Sequence, residues 1–219
     1  MARLLFEKKG NSVWISHLDL MRLFQRAFKR AGLNLKHTQG FNPRPSVSIA
    51  LPLSVGVDSV CELLDFELEG ECPSNEVILS KLNKALVAGV RVLEVYDSGR
   101  KLKDLALMDA KVTLEYDTPV AENAVADITA LFQRAELAVI KKSKNGPVEQ
   151  DIIPMIRRLQ VVQPDGNTIV LNALICCQNP SLNPAQLVAA VQNYLPQYAP
   201  DHSVCSRVEI YDTKETIFR

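Results

Sequence analysis

The chain has 219 residues, 47% hydrophobic and 23% charged, with 25 Lys and Arg balancing 25 Asp and Glu. This usage excludes a disordered or fibrous chain and suffices for two domains of ~100 residues each. The longest apolar stretches, 168–177 and 187–191, fall short of the ~20 residues of a membrane span, and Met1-Ala2-Arg3 leads straight into alternating residues rather than a signal sequence. A soluble cytoplasmic protein is expected.

Zero net charge hides an asymmetry. Residues 1–50 carry nine Lys and Arg against Glu7 and Asp19, whereas 51–100 carry four against nine acids. An anionic partner for the first segment would explain this, and so would an internal match between the two segments. The five cysteines, Cys61, Cys72, Cys176, Cys177 and Cys205, lack C-x-x-C spacing. They read as reduced, partly buried thiols in a reducing compartment, with no metal site.

Arg3–Lys8 reads as a strand and Gly10-Asn11-Ser12 as a break. Ser16 is placed as an N-cap, with Asp19 three residues on and Ile15 facing Leu20 as a hydrophobic staple, so a helix should start at His17. Leu20, Phe24, Ala27, Phe28 and Ala31 form its apolar stripe, and Gly32 is its C′ residue. Arg22, Arg26, Lys29 and Arg30 recur at i, i+4, i+7 and i+8 and make one basic face.

The Gln39–Pro45 loop follows. Ser46–Leu51 then alternates as a strand, and Cys61–Glu69 alternates again, with Asp65, Glu67 and Glu69 on its polar side. Pro73-Ser74 opens a helix with Ile78, Leu82, Ala85 and Leu86 inward, Gly89 ends it, and Val90–Tyr96 is a strand. The order is βαββαβ. Asp97–Asp104, containing Ser98-Gly99-Arg100, reads as a linker.

Beyond it the pattern restarts. Ala110–Tyr116 is a strand, and Thr118-Pro119 opens a helix with Ala124, Val125, Ile128, Leu131 and Phe132 inward. Leu137–Lys142 is an additional strand. Asp151–Pro154 with Arg157-Arg158 is either a polar site or a strand start. Arg158–Gln163 and Thr168–Cys176 form a hairpin, Asn183-Pro184 caps a helix through Tyr194, and Val204–Tyr211 closes the chain. The expected fold is α+β, with two tandem ferredoxin-like (βαββαβ) lobes, residues 1–98 and 105–219, whose antiparallel sheets carry helices on one face.

Common cofactor motifs are absent: no G-x-G-x-x-G, no G-x-x-x-x-G-K-[ST], no H-E-x-x-H, no G-x-S-x-G and no clustered cysteines for an iron–sulfur centre. No cofactor is expected in this chain. Of the histidines, His17 stands at the helix N-terminus, where the dipole favours a neutral imidazole, and His37 lies past the other end; either is a candidate general base. Ser16, His17 and Asp19 do not make a triad, because cap and first-turn side chains diverge.

The basic face, extended by Lys36 and Arg44, suits phosphates. In the loop, Gly40 permits a tight backbone and Pro43 and Pro45 stiffen the exit, holding Arg44 and Phe41 out to pair with a phosphate and stack a base; alternatively Phe41 tucks into the core of a rigid connector. Pro52–Gly56 is placed beside Ser16-His17.

W-I-S-H-L-D-L-M-R-L-F-Q-R-A at 14–27, T-Q-G-F-N-P-R-P at 38–45 and A-L-P-L-S-V-G-V at 50–57 resemble the bacterial family of radical SAM-linked proteins. The resemblance implies a protein that stands alone or forms the C-terminal part of a radical SAM, B12-type protein, and hence an accessory role beside a radical SAM partner. The family's usual histidine near the first loop proline is Arg44 here, so no catalytic role carries over to that position. The paired lobes also resemble, in fold only, CRISPR repeat-processing endoribonucleases, whose glycine-rich C-terminal signature is missing from 203–219.

The leading expectation is an RNA-binding or substrate-presenting accessory protein, working with a radical SAM enzyme in RNA modification and leaving catalysis to that partner. Its nucleic-acid-binding residues would be Arg22, Arg26, Lys29, Arg30, Lys36, Phe41 and Arg44. The alternatives are a metal-independent endoribonuclease using His17 or His37 with Arg22 or Arg44, and a protein–protein adaptor without RNA binding.

Overall fold

The computed structural model describes residues 2–97, 99–143 and 146–219. They divide into two compact units, one running to Asp104 and including Arg219, the other spanning Leu105–Phe218. Ser98 of the expected linker lies outside the described residues. The α+β class is seen directly, in four α-helices and ten strands among those residues.

The first unit contains β1 (Ala2–Lys8), α1 (His17–Arg30), β2 (Val47–Ile49), β3 (Asp58–Phe66), α2 (Asn75–Ala85) and β4 (Val90–Asp97). Within the unit the pairings are antiparallel: β1 lies between β4 and β3, and β2 pairs with β3, Val47 opposite Phe66 and Ile49 opposite Leu64. Leu4, Phe6, Leu64, Phe66 and Val92 of the sheet and Leu20, Phe24, Phe28, Ile78 and Leu82 of the helices share one buried cluster. Each such side chain contributes roughly 1.5–3 kcal/mol of burial. Phe24 meets Phe6 edge-on at 4.7 Å between ring centres, and Phe28 meets Phe66 at 5.0 Å. These contacts set the rotation of α1, and therefore which side of it faces outward.

Three expected details need correction. The second strand covers only Val47–Ile49, because the Ser46 N–H is taken by the Lys36 carbonyl at 2.7 Å and Leu51 turns to a φ of 44°. Asp65 is not on a wet polar face. It is buried opposite Arg3, whose guanidinium it binds through both oxygens, at 2.5 and 3.0 Å. Gly89 does not end α2, which stops at Ala85; its φ is +85°, and a Cβ there would lie 2.4 Å from the Lys9 carbonyl and 2.7 Å from the Ser12 hydroxyl. Only glycine fits that approach.

The second unit contains β5 (Leu105–Glu115), α3 (Ala124–Phe132), β6 (Ala138–Ser143), β7 (Gly146–Asp151), β8 (Ile156–Asp165), β9 (Thr168–Cys176), α4 (Ala185–Tyr194) and β10 (His202–Asp212). Its sheet runs β10-β5-β9-β8, again antiparallel throughout, and β6–β7 is a separate hairpin. Thr118-Pro119 does not open α3, which starts six residues after Thr118 with Asn123 at its cap, since the Val120 N–H is drawn to the Gly166 carbonyl at 2.8 Å. The stretch Asp151–Pro154 is a strand approach, a short 3-10 turn leading into β8, and the Asp151 carboxylate accepts the Leu137 and Ile153 N–H groups.

Among the described residues no helix is long and apolar enough to cross a membrane. The cysteines are free thiols: Cys61 and Cys176 are buried, Cys177 and Cys205 half-buried, and Cys72 exposed.

Candidate nucleic-acid interface

The helix that carries the basic residues is fixed at both ends by its own sequence. At the start the Ser16 hydroxyl oxygen accepts the Asp19 N–H at 3.2 Å and donates to the Asp19 carboxylate at 2.7 Å. That hydrogen bond, and then the Arg22 guanidinium at 2.9 Å, hold the Asp19 carboxyl below the usual carboxylate range. At the end, Gly32 at φ +66° lets its N–H reach the Lys29 carbonyl and the Leu33 N–H reach that of Phe28, at 3.2 and 3.0 Å. This is the Schellman arrangement, with Phe28 and Leu33 both buried.

The Ser16 hydroxyl and the Asp19 carboxylate are thus engaged by each other, and Asp19 by Arg22 as well. His17 is half-buried, and its Nδ1 is sealed from solvent with no hydrogen-bond partner among the described residues.

Arg22, Arg26, Lys29 and Arg30 are all exposed, as the helical spacing predicts. Their partners differ. Arg22 pairs with Asp19 at 2.9 Å, and Arg30 donates to the Ala85 carbonyl at 2.6 Å. Lys36 lies 3.4 Å from Glu67. Arg26, Lys29 and Arg44 have no ion-pair or hydrogen-bonded side-chain partner among the described residues. Part of the charge asymmetry of the first hundred residues is matched internally, Arg3 by Asp65 and Lys36 by Glu67, while Arg26 and Lys29 on α1 have no such partner among the described residues.

The 39–45 loop stands clear of the core. Thr38 and Arg44 bond each other across its neck, and His37 bridges Pro45 behind them. Phe41 is fully exposed, 107% relative to an extended reference, so it does not tuck inward. The Pro52–Gly56 loop lies against the segment just before His17: the Gly56 N–H donates to the Val13 carbonyl at 2.9 Å, and a Cβ at Gly56 would sit 3.4 Å from the Trp14 ring.

Two open pockets of about 450 Å³ each flank the basic face and share Arg26. One brings Arg26 and Lys29 together with His37 and Pro45 at the root of the loop. The other gathers Arg22, Arg26 and Arg30 with Asp19. His17, Phe41 and Arg44 line neither. A shallower groove of about 340 Å³ adds Lys81 and Lys84 of α2 beside Arg30. These two lysines were not anticipated. Their spacing, between the inward Ile78, Leu82 and Ala85, was the available signal.

Among the described residues no group of three His, Cys, Asp or Glu side chains converges as a metal site. The outer face of α1 thus presents several cations, and the 39–45 loop displays an exposed aromatic ring.

A chain from a Cbf5–Nop10–Gar1 complex superposes with a TM-score of 0.55 at 11% identity, over 95% of this chain and 48% of that one. A chain from the archaeal box H/ACA sRNP Nop10–Cbf5 complex gives 0.47 at 10% identity, over 94% and 46%. An unknown protein from Galdieria sulphuraria gives 0.28 at 13% identity, over 94% and 97%. This chain spans about half the length of the first two, and the first likeness is one of fold alone. No curated protein matches the chain. A family match does cover most of it, residues 2–184, and the chain therefore belongs to the bacterial family described as uncharacterized protein conserved in bacteria, DUF2344.

Proposed function

We propose that this protein binds RNA through the outer face of α1 and the 39–45 loop, as an accessory that presents substrate to a radical SAM enzyme in RNA modification. The supporting observation is the exposure of Arg26 and Lys29, unpaired among the described residues, in a pocket shared with His37 and Pro45 at the root of the loop that displays Arg44 and Phe41. Solvated cations supply phosphate affinity, and an exposed ring supplies stacking on an unpaired base. Charge on α1 alone positions a strand without reading it.

The radical SAM partner rests on the sequence blocks at 14–27, 38–45 and 50–57. Both units follow one antiparallel strand order, β4-β1-β3-β2 in the first and β10-β5-β9-β8 in the second, which supports a ferredoxin-like ancestry for each.

The test is binding of labelled single-stranded RNA to the full chain at rising salt, together with capture of a radical SAM protein after nuclease treatment. Steeply salt-dependent binding and nuclease-resistant capture are expected. Absent or salt-independent RNA binding would remove the RNA role, and no capture would remove the partner.

One observation favours a second reading, a metal-independent endoribonuclease. The exposed His37 shares a pocket with Arg26 and Lys29, which would set a base beside cations able to stabilise a phosphorane. It predicts cleavage in EDTA with cyclic phosphate ends, lost in His37→Ala; RNA left intact would rule it out.

A further inference from the structure

The pocket at the root of the loop differs in chemistry from the rest of the basic face. Its floor is apolar, made by the half-buried Pro45 and the edges of the largely buried Leu33 and Leu35, and its rim carries Arg26 and Lys29 of α1 and Glu69 in the bend after β3. Its volume of about 450 Å³ falls in the range of small-ligand sites, roughly 300–1,000 Å³. Phosphate recognition does not need an apolar floor, and a carboxylate on the rim opposes it.

We infer that this pocket takes one nucleotide of the bound RNA, its base over the apolar floor and its phosphate at Arg26 and Lys29, and that Glu69 selects guanine. The inference rests on the RNA-binding reading above and adds the ligand's identity. Flat apolar rings fit the floor, and the two cations suit the linked phosphate.

An ionised carboxylate only accepts hydrogen bonds. Guanine offers it two adjacent donors, the ring N–H and the exocyclic amino group. Uracil offers one N–H between two carbonyls that repel the charge. Adenine and cytosine each place a ring acceptor beside the amino group.

Glu69 is held in place through its backbone, whose N–H donates to the Asn34 carbonyl at 2.9 Å. Its carboxylate has no ion-pair or hydrogen-bond partner among the described residues. Gln25, half-buried on α1, lines the same pocket and supplies a position from which it can be filled.

The experiment is fluorescence anisotropy on the full chain with labelled UUGUU and UUUUU. UUGUU should bind at least about ten-fold more tightly, the worth of one hydrogen bond to a charged group at the low end of its range. Glu69→Gln should abolish that discrimination, and Gln25→Trp, which fills the pocket from the opposite wall, should abolish it as well. Equal affinity for the two oligonucleotides in the unaltered protein, or a guanine preference that survives both substitutions, would overturn the nucleotide pocket while leaving RNA binding in place. If neither oligonucleotide binds, the RNA-binding reading falls first and takes the pocket with it.

Discussion

Thr38 and Arg44 hydrogen-bond each other twice across the neck of the 39–45 loop: the Thr38 N–H donates to the Arg44 carbonyl at 2.8 Å, and the Arg44 N–H donates to the Thr38 hydroxyl oxygen at 3.0 Å. The pair closes the loop so that Phe41 is displayed without core contacts of its own. Thr38→Val removes one of these bonds, worth about 1 kcal/mol. It should weaken RNA binding a few-fold and lower the urea midpoint by no more than that bond's worth. Phe41→Ala should cost more, about 1–3 kcal/mol of stacking. Equilibrium binding of a single-stranded oligonucleotide separates the two effects.

The buried pair of Arg3 and Asp65 carries a larger stake. Arg3 is 1% exposed, and its guanidinium also donates to the Arg100 carbonyl at 2.9 Å. Asp65→Ala would strand that charge, at about 3–5 kcal/mol. A sharply lower urea midpoint is expected, with partial recovery in the double substitution Arg3→Met, Asp65→Leu.

Much of this architecture is legible in the sequence because it follows from local rules. The Ser16 cap, the Leu20–Phe28 stripe and the Gly32 stop each lie within one helix, and each is found where periodicity and capping place it. The errors fall where a residue's partner is distant in the chain. Asp65 looked solvated until Arg3 stood across the ladder from it, and Thr118-Pro119 looked like a helix start until the Gly166 turn claimed the backbone. The candidate interface divides in the same way. The basic face of α1 is a local pattern, whereas the pocket that joins it to His37, Pro45 and Glu69 needs the chain to return three times. Spacing alone puts Lys81 and Lys84 on the outer side of α2, but their place beside Arg30 depends on how α1 and α2 pack.

Gly89 gives a sharp test of close packing. Gly89→Ala places a methyl group against the Lys9 carbonyl at a φ that L-residues avoid. Destabilisation above about 1 kcal/mol is expected, since the backbone penalty and the clash add. Thermal unfolding against the unaltered chain checks it; an equal or higher midpoint would show that the β4 approach can relax.

Stability should also fall in alkali. Burial, and then the Asp201 carboxylate, push the Tyr116 hydroxyl from 10.0 up to about 12. Burial and a hydrogen bond to Asp109 do the same for Tyr211, also to about 12. The folded state holds these protons more tightly than the unfolded one. The contribution is therefore whole below pH 10 and is lost as pH rises toward 12. Urea midpoints at fixed salt should drop through that window, and less so in Tyr116→Phe; a flat profile would contradict the assignment.

RNA affinity through α1 is measured most directly by the slope of log K against log salt concentration, for the unaltered chain and for Arg26→Glu, Arg30→Glu. Each lost phosphate contact on a single strand removes about 0.7 from the slope. The doubly reversed protein should bind more weakly at every salt concentration, with a slope shallower by about 1.4 if each arginine meets one phosphate. A slope and affinity unchanged by the two reversals, or no binding by the unaltered chain, would contradict the central claim.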